Sequence, residues 1–180
     1  MIGLTPESVE FRGAGVSVWI SASAVSAMLA ASVQAGCRET GGILIGRYGA
    51  EGWMADVIEA TPKPKGSRAS WFWFQRSNTG LAEILEQRWK DGFHYLGEWH
   101  FHPRGASTPS GSDERAMWKI SADEAYRCPT PILVILGGKP KSEWSLSATL
   151  FRGGQVLRLD RHKKDEGGLR LVGQDGTRIR

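Results

Sequence analysis

The sequence predicts a single mixed α/β (α+β) domain with about three helices and roughly seven or eight strands. Its 180 residues are enough to bury one sizeable core. Amphipathic helical stripes alternate along the chain with short apolar runs of strand type. The composition, 41% hydrophobic and 23% charged, is ordinary for a globular protein.

The N-terminal part is predicted to form strands followed by a helix. Residues 9–20 form one or two short strands, interrupted by a glycine-rich break. Ser21 or Ser23 then caps a helix, which ends at Gly36. The apolar stripe of this helix comprises Val25, Met28, Leu29 and Val33.

A hairpin and a second helix follow. Residues 43–45 are a short apolar strand, and residues 53–60 are its predicted partner. Four consecutive aromatic residues at 71–74 indicate a further strand or strand edge. Ser77 or Asn78 begins the second helix. One side of that helix carries Leu81, Ile84, Leu85 and Trp89.

The C-terminal half is predicted to add a central strand, a third helix and further strands. The central strand covers residues 94–102. The uninterrupted apolar run at 132–136 suits a strand buried on both faces. Residues 144–150 alternate between apolar and polar types, as in a half-buried strand, and residues 156–159 add another.

The segment from residue 98 to residue 113 carries the predicted chemistry. In a strand, alternate side chains project to the same face, so His100 and His102 point the same way. Pro103 has no N–H to donate, so the strand should end there. Ser110 begins a helix whose first turn contains Asp113. Two imidazoles and one carboxylate would thus converge as the ligands of a catalytic zinc ion, with the fourth position left to water.

Each of these residues taken singly has a structural explanation. The histidines are explained as a hydrogen-bonded pair, Asp113 as an acid that complements the helix dipole, and Ser110 as a cap. Glu39, before a Gly-Gly strand, is explained as a surface charge. Only their joint arrangement favours a catalytic site.

That arrangement resembles the JAMM motif of the JAMM/MPN zinc metallopeptidase family, Glu…His-x-His-x7-Ser-x2-Asp. The matching residues are Glu39 in ETGGILIG, His100 and His102 in GEWHFHP, and Ser110 and Asp113 in PSGSD. The resemblance covers about residues 16–151. It implies a cytidine-deaminase-like MPN domain built on a mixed, curved β-sheet.

The resemblance also implies a role for each residue. A Zn²⁺ ion would be held by His100, His102 and Asp113. Glu39 would act as general base and then pass the proton to the departing lysine amine. The Ser110 hydroxyl would donate to the developing oxyanion.

Glu98 departs from the broader family, which usually has an apolar residue at this position. By strand alternation it shares a face with His100 and His102. Three interpretations are open. Glu98 orients an imidazole, or is a buried structural hydrogen-bonding group, or competes with Glu39 for the role of general base.

The sequence segments ETGGILIG, YLGEWHFHP and CPTPILVILGG are most similar to those of the bacterial JAB-domain deconjugases of CBASS antiphage operons. Those enzymes act beside a cGAS-like nucleotidyltransferase and an E1–E2 fusion protein. The resemblance implies a zinc isopeptidase that cleaves after the C-terminal tail of a ubiquitin-like or conjugated protein. In CBASS it would release the nucleotidyltransferase from its targets. The alternatives are a maturation protease that trims a ubiquitin-like or sulfur-carrier precursor, and a non-catalytic MPN scaffold.

Substrate binding is expected at two places. An exposed strand edge beside the site would hold an extended, glycine-rich tail by main-chain pairing. By resemblance, residues 61–75 are where such enzymes often build a substrate-binding insert, so the aromatic cluster belongs either to that groove or to the core.

The net charge and the cysteine content bear on three other classes of feature: a nucleic-acid patch, a disulfide framework and a Cys-type zinc site. The net charge of +4 is concentrated near the C-terminus, which predicts a catalytic domain over residues 1–160 and a basic tail over 161–180. The tail is interpreted as solvated, disordered or an extra hairpin in preference to a nucleic-acid patch. The two cysteines, Cys37 and Cys128, make neither a disulfide framework nor a Cys-type zinc site.

A cytoplasmic location is expected. The N-terminus lacks the basic and apolar regions of a signal peptide. Residues 13–37 are uncharged, but they contain several serines and a helix start, so a membrane span is not predicted.

Overall fold

A computed structural model describes residues 6–49, 54–62 and 85–162. These residues contain eight strands and three helices, together with a short 3-10 helix. The strands are β1 (Val9–Gly13), β2 (Val16–Ile20), β3 (Thr40–Tyr48), β4 (Met54–Ala60), β5 (His94–Pro103), β6 (Ile132–Lys139), β7 (Glu143–Arg152) and β8 (Gln155–His162). The helices are α1 (Ala22–Ala35), α2 (described over 85–90), α3 (Gly111–Ala122) and the 3-10 helix (Glu124–Tyr126).

The strands form a closed barrel in the order β1-β2-β4-β3-β5-β6-β7-β8. The prediction of a mixed, curved sheet is therefore wrong. The barrel closes because β8 pairs antiparallel with β1, joining Glu10 to His162 and Arg12 to Asp160. Strand directions are nevertheless mixed, since β2–β4 and β5–β6 are parallel pairs. Every described strand has a neighbour on both sides, so the exposed strand edge expected beside the site is not found among them.

The interior of the barrel holds the larger core, to which all eight strands contribute. Trp99 and Phe101 of β5 are fully buried there. Helix α1 adds Val25 and Met28 to the same core. Ser21 caps α1 by accepting a hydrogen bond from the Ala24 N–H at 3.2 Å.

A second core lies on the opposite face of β3, β5 and β6, under α3. Met117 and Ile120 of α3 pack there with Leu133 and Ile135 of β6. Burial on both faces explains why β5 and β6 are buried almost continuously along their lengths. From residue 98 onward, Trp99 and Phe101 of β5 face the barrel interior, whereas the even-numbered positions face α3. Before the register shift opposite residues 44 and 45 of β3 the order is reversed, since Leu96 lies in the barrel core and Tyr95 in the second core.

The predicted elements fall at their expected places in the described ranges. Helix α1 ends at Gly36, and the hairpin pairs β3 with β4. The predicted apolar stripe is wrong at one position, because Val33 is exposed whereas Ser32 is buried. The Ser32 hydroxyl is satisfied by donating to the Met28 carbonyl at 2.8 Å.

Several predictions lie outside the described residues. These are the aromatic strand at 71–74, the start of the second helix and the tail from residue 163 onward. In the described part of α2, Trp89 is largely exposed. None of the helices among the described residues has both the length and the apolar character that a membrane crossing needs.

Candidate metal centre

Strand β5 presents Glu98, His100 and His102 on the face that is covered by α3. Hydrogen bonding to β3 on one side and to β6 on the other fixes the strand. Glu98 and His100 are buried, with exposed fractions of 5% and 6%, and His102 is half-buried. The strand ends at Pro103, as predicted from its missing N–H.

The first turn of α3 supplies the carboxylate. Ser110 Oγ accepts a hydrogen bond from the Asp113 N–H at 3.3 Å, and Asp113 Oδ2 accepts one from the Ser110 N–H at 2.6 Å. These reciprocal bonds form a capping box. In most capping boxes a Glu or Gln occupies the position that Asp113 has here. The capping box fixes the orientation of a carboxylate that is completely buried.

The carboxylate of Asp113 meets both imidazoles. Its Oδ1 accepts a hydrogen bond from His100 Nδ1 at 2.8 Å. Its Oδ2 lies 3.5 Å from His102 Nε2. The three side chains predicted as metal ligands therefore converge on one point between β5 and α3.

His100 is held by carboxylates at both ring nitrogens. The nitrogen opposite Asp113, Nε2, lies 3.1 Å from Glu98 Oε2. Burial lowers the pKa of His100, but the hydrogen bonds to Asp113 and Glu98 outweigh this effect and raise the pKa to about 9. The ring therefore carries two N–H groups here and donates from both.

The same contacts shift the pKa values of Asp113 and His102. Burial raises the pKa of Asp113, but hydrogen bonds from His100, His102 and Ser110 hold it well below its ordinary value. The hydrogen bond to Asp113 raises the pKa of His102 against the effect of burial, and a backbone hydrogen bond with Ala106 adds to the rise. The carboxylate is consequently ionised, as a metal ligand must be.

The loop after β5 folds back over β6 and brings Ala106 to His102. The Arg104 N–H donates to the Gly138 carbonyl at 2.9 Å. The loop crosses Gly137 so closely that a Cβ there would lie 2.5 Å from the Ser107 nitrogen. Ser145 Oγ donates to Ser107 Oγ at 3.0 Å and ties the loop to β7.

Glu39 lies at the entrance to β3, beside the converging side chains. Thr40 pairs with Phe101, and Glu39 directly precedes that pair at the end of β3 where His102 follows Phe101 on β5. After the stronger effects named above, the charge of Glu39 also raises the pKa of His102. Glu39 is exposed. It therefore borders the site at the solvent side and does not belong to the buried cluster.

The Ser110 hydroxyl is exposed at the start of α3. It accepts from the Asp113 N–H, and it shares a hydrogen bond of 2.8 Å with Ser112 Oγ. When Ser112 is the donor in that bond, the Ser110 proton remains available to a substrate oxygen.

The donor atoms fit a metal ion of the zinc type, which takes imidazole nitrogen and carboxylate oxygen. In this structure Asp113 bonds His100 directly and also approaches His102. Accordingly, no three His, Cys, Asp or Glu side chains in the described ranges are spaced as metal ligands. The atoms engaged in these contacts are the ones that would coordinate the ion. Binding would therefore replace the contacts and displace a proton from His100.

Sequence reasoning missed the glycines and serines that surround these side chains. Gly41 is the partner of His100 across the β3–β5 pair, and Gly137 is the partner of His102 across β5–β6. The only signals were the Gly-Gly pairs in ETGGILIG and VILGG. Those pairs indicate close backbone approach but do not identify what approaches.

Comparison with known proteins identifies similar sequences. Residues 21–147 match the family described as prokaryotic homologs of the JAB domain. A CD-NTase/cGAS isopeptidase of Enterobacter hormaechei subsp. hoffmannii is 45% identical over 149 residues, which are 82% of this chain and 83% of that protein. A probable metalloprotease of Sinorhizobium fredii is 27% identical over 132 residues, 69% of this chain and 78% of its own.

A second CD-NTase/cGAS isopeptidase, from Pseudomonas aeruginosa, is 31% identical over 102 residues, covering 55% of this chain and 63% of that protein. Among solved structures, a protein of Desulfitobacterium hafniense determined in solution superposes with a TM-score of 0.56. It is 22% identical, and the match covers 78% of this chain and 88% of the other. At that identity the likeness concerns the fold alone.

Proposed function

The chain belongs to the prokaryotic homologs of the JAB domain, and from that membership we propose that it is a zinc-dependent isopeptidase of the JAMM type. The observation that carries the proposal is the convergence of Asp113 on His100 and His102. The names of the relatives, two isopeptidases and a probable metalloprotease, support hydrolysis of a peptide or isopeptide bond.

The zinc ion would be held by His100, His102 and Asp113. When bound, zinc lowers the pKa of a coordinated water to about 7 and polarises the scissile carbonyl. The chain supplies the remaining groups. The capping box orients the carboxylate, and the hydrogen bond to Ala106 orients the imidazole of His102.

Glu39 is the proposed general base. Its exposure at the start of β3 and the effect of its charge on the pKa of His102 support a role at the solvent side of the site, where water and substrate would enter. It takes a proton from the water and gives it to the lysine amine as the bond breaks. Such a role is typically worth about 10²–10⁴-fold in rate.

Ser110 is the proposed donor to the oxyanion. Its hydroxyl is exposed beside Asp113, and Ser112 is placed to donate to it. The capping interaction uses Ser110 as an acceptor, so capping and catalysis need different parts of the same hydroxyl group. No covalent acyl-enzyme forms in this mechanism, so Cys37 and Cys128 are dispensable for it.

The proposed substrate is a protein whose C-terminus is joined to a lysine. The names of two relatives, CD-NTase/cGAS isopeptidase, support a conjugated cGAS-like nucleotidyltransferase as that protein. An E1–E2 fusion protein would make the conjugate that this chain removes. The alternative substrate is a ubiquitin-like protein, whose C-terminus would be joined to a lysine by the same kind of bond.

The test is cleavage of two matched substrates by the purified full chain. A nucleotidyltransferase C-terminus joined to a lysine should be cleaved faster than a linear fusion of the same tail. A chelator should stop cleavage, and added zinc should restore it. Faster cleavage of the linear fusion would instead identify a maturation protease, and a chain that neither binds zinc nor hydrolyses either substrate would be a non-catalytic scaffold.

Replacing the proposed base provides the decisive variant. Glu39→Gln should lose turnover by at least about 10²-fold while binding zinc as the wild type does. Glu10→Gln, which changes a carboxylate on β1 in the same way, should cleave normally. If Glu39→Gln remains active, the assignment of the base fails.

A further inference from the structure

We propose that Glu98 is a positioning residue that holds His100 for metal binding and determines which of its nitrogens coordinates the ion. The inference depends on the metal centre of the proposed function and adds a residue to it. Glu98 occupies a position for which sequence reasoning left three interpretations open, and the contacts of its carboxylate distinguish them.

The His100 ring contacts a carboxylate at each of its two nitrogens. Its Nδ1 lies 2.8 Å from Asp113 Oδ1, and its Nε2 lies 3.1 Å from Glu98 Oε2. The ring is therefore fixed from opposite ends. Asp113 is itself a proposed ligand, so the nitrogen that faces it would coordinate the ion and the nitrogen that faces Glu98 would keep its proton. A carboxylate that accepts a hydrogen bond from the second nitrogen of a ligating imidazole fixes the tautomer and raises the basicity of the ligand.

Glu98 itself is firmly held within the sheet. On β5 it pairs with Ile43 of β3 and Leu133 of β6, and only 5% of its surface is exposed. Two phenols lie near its carboxylate. Burial first, and then the negative charge of Glu98, raises the pKa of both Tyr95 and Tyr126. A carboxylate enclosed in this way is suited to orienting a partner.

The position of Glu98 excludes it as the general base. The His100 ring lies between the carboxylates of Glu98 and Asp113. Glu98 is therefore on the far side of the ring from the point where the ligands converge, and it is buried from substrate. Glu39, in contrast, is exposed, and its charge acts on the imidazole of His102. A base must be within hydrogen-bond reach of the proton that it removes.

The experiment measures zinc affinity, by competition with a chromophoric chelator, and the visible absorption spectrum of the cobalt-substituted protein. Glu98→Leu removes the acceptor and should weaken zinc binding by about 10–100-fold and alter the cobalt spectrum. Glu98→Gln retains an acceptor oxygen and should lose less. Thr149→Val is the matched control, because Thr149 is a buried polar residue opposite Leu133 on β7, and it should leave both readouts unchanged.

The outcomes separate the three interpretations. Wild-type affinity and spectrum in folded Glu98→Leu would leave Glu98 only a structural role and overturn the inference. Wild-type affinity with lost turnover in Glu98→Gln would make it the base and also overturn the inference. If Glu98→Leu does not fold, as judged by thermal unfolding of the metal-free protein, the isosteric Gln variant decides. A wild-type chain that binds no zinc would overturn the metal centre itself.

Discussion

The imidazole of His100 lies over Gly41, its partner across the antiparallel β3–β5 pair. A Cβ at residue 41 would lie 2.9 Å from His100 Cδ2 and would also collide with the Trp99 carbonyl oxygen. The absence of a side chain on β3 thus creates the space in which His100 reaches Asp113. The Gly-Gly sequence next to Glu39 therefore has a steric role in the site.

Gly41→Ala should displace His100 and weaken zinc binding and isopeptide cleavage together. The added methyl group meets backbone as well as ring atoms, so the ring cannot relieve the contact alone. The measurements are zinc affinity and the initial rate of cleavage at saturating zinc. Overpacking of this kind typically costs about 1–3 kcal/mol in the free energy of unfolding.

Gly111→Ala is the control for that substitution. It makes the same chemical change at the start of α3, where the nearest atom is the flexible end of Arg115 at 3.4 Å. Zinc affinity and cleavage should remain at the wild-type level. Equal behaviour of the two alanine variants would show that Gly41 does not make room for the ligand.

Ser110→Ala should lose both stability and activity, since its hydroxyl caps α3 and is the proposed oxyanion donor. Loss of the cap is expected to cost about 0.5–2 kcal/mol in the free energy of unfolding. Loss of an oxyanion donor is expected to lower kcat by about 10²–10³-fold. Urea denaturation and steady-state kinetics measure the two effects separately.

Ser21→Ala distinguishes the two effects, because Ser21 caps α1 in the same way, through the Ala24 N–H. It should cost a similar free energy of unfolding and leave kcat unchanged. Equal kcat values for the two variants would remove Ser110 from the mechanism.

The candidate ligands were predictable because local rules place them. Strand alternation puts His100 and His102 on one face, and a helix start at Ser110 puts Asp113 in the first turn. The contacts that orient those ligands were not predictable in the same way. Gly41 and the loop over Gly137 act from strands that are distant in sequence, and only the pairing of β5 with β3 and β6 brings them together.

Closure of the barrel was unpredictable for a similar reason. Alternation identifies β1 and β8 as strands, but it does not state which strands are neighbours. The apolar stripe of α1 shows a different limit of prediction from sequence periodicity. Residues 32 and 33 are adjacent on the helix, and tertiary packing buried the serine and exposed the valine. Because the Ser32 hydroxyl donates to the Met28 carbonyl, its burial leaves no unsatisfied donor.

Leu159→Ala should destabilise the protein strongly, because Leu159 of β8 packs in the barrel core where the barrel closes onto β1. The loss of its buried side chain is expected to cost about 2–5 kcal/mol in the free energy of unfolding, measured by urea denaturation. Val33→Ala, at the exposed position on α1, should cost less than about 1 kcal/mol. Similar costs for the two variants would contradict the closed barrel.

Zinc should stabilise the folded chain, and Asp113→Asn should abolish that effect. Binding to the folded state alone adds about 2.7 kcal/mol at a zinc concentration one hundred times Kd, which appears as a rise in Tm. Asn retains the shape of the buried side chain, but it lacks the charge with which Asp113 meets the imidazoles and the ion. Asp123→Asn is the control, since Asp123 caps the 3-10 helix by accepting from the Ala125 N–H at 2.9 Å and lies outside the site. Its zinc-induced rise in Tm should equal that of the wild type. A full rise in Asp113→Asn would mean that zinc binds elsewhere on the chain.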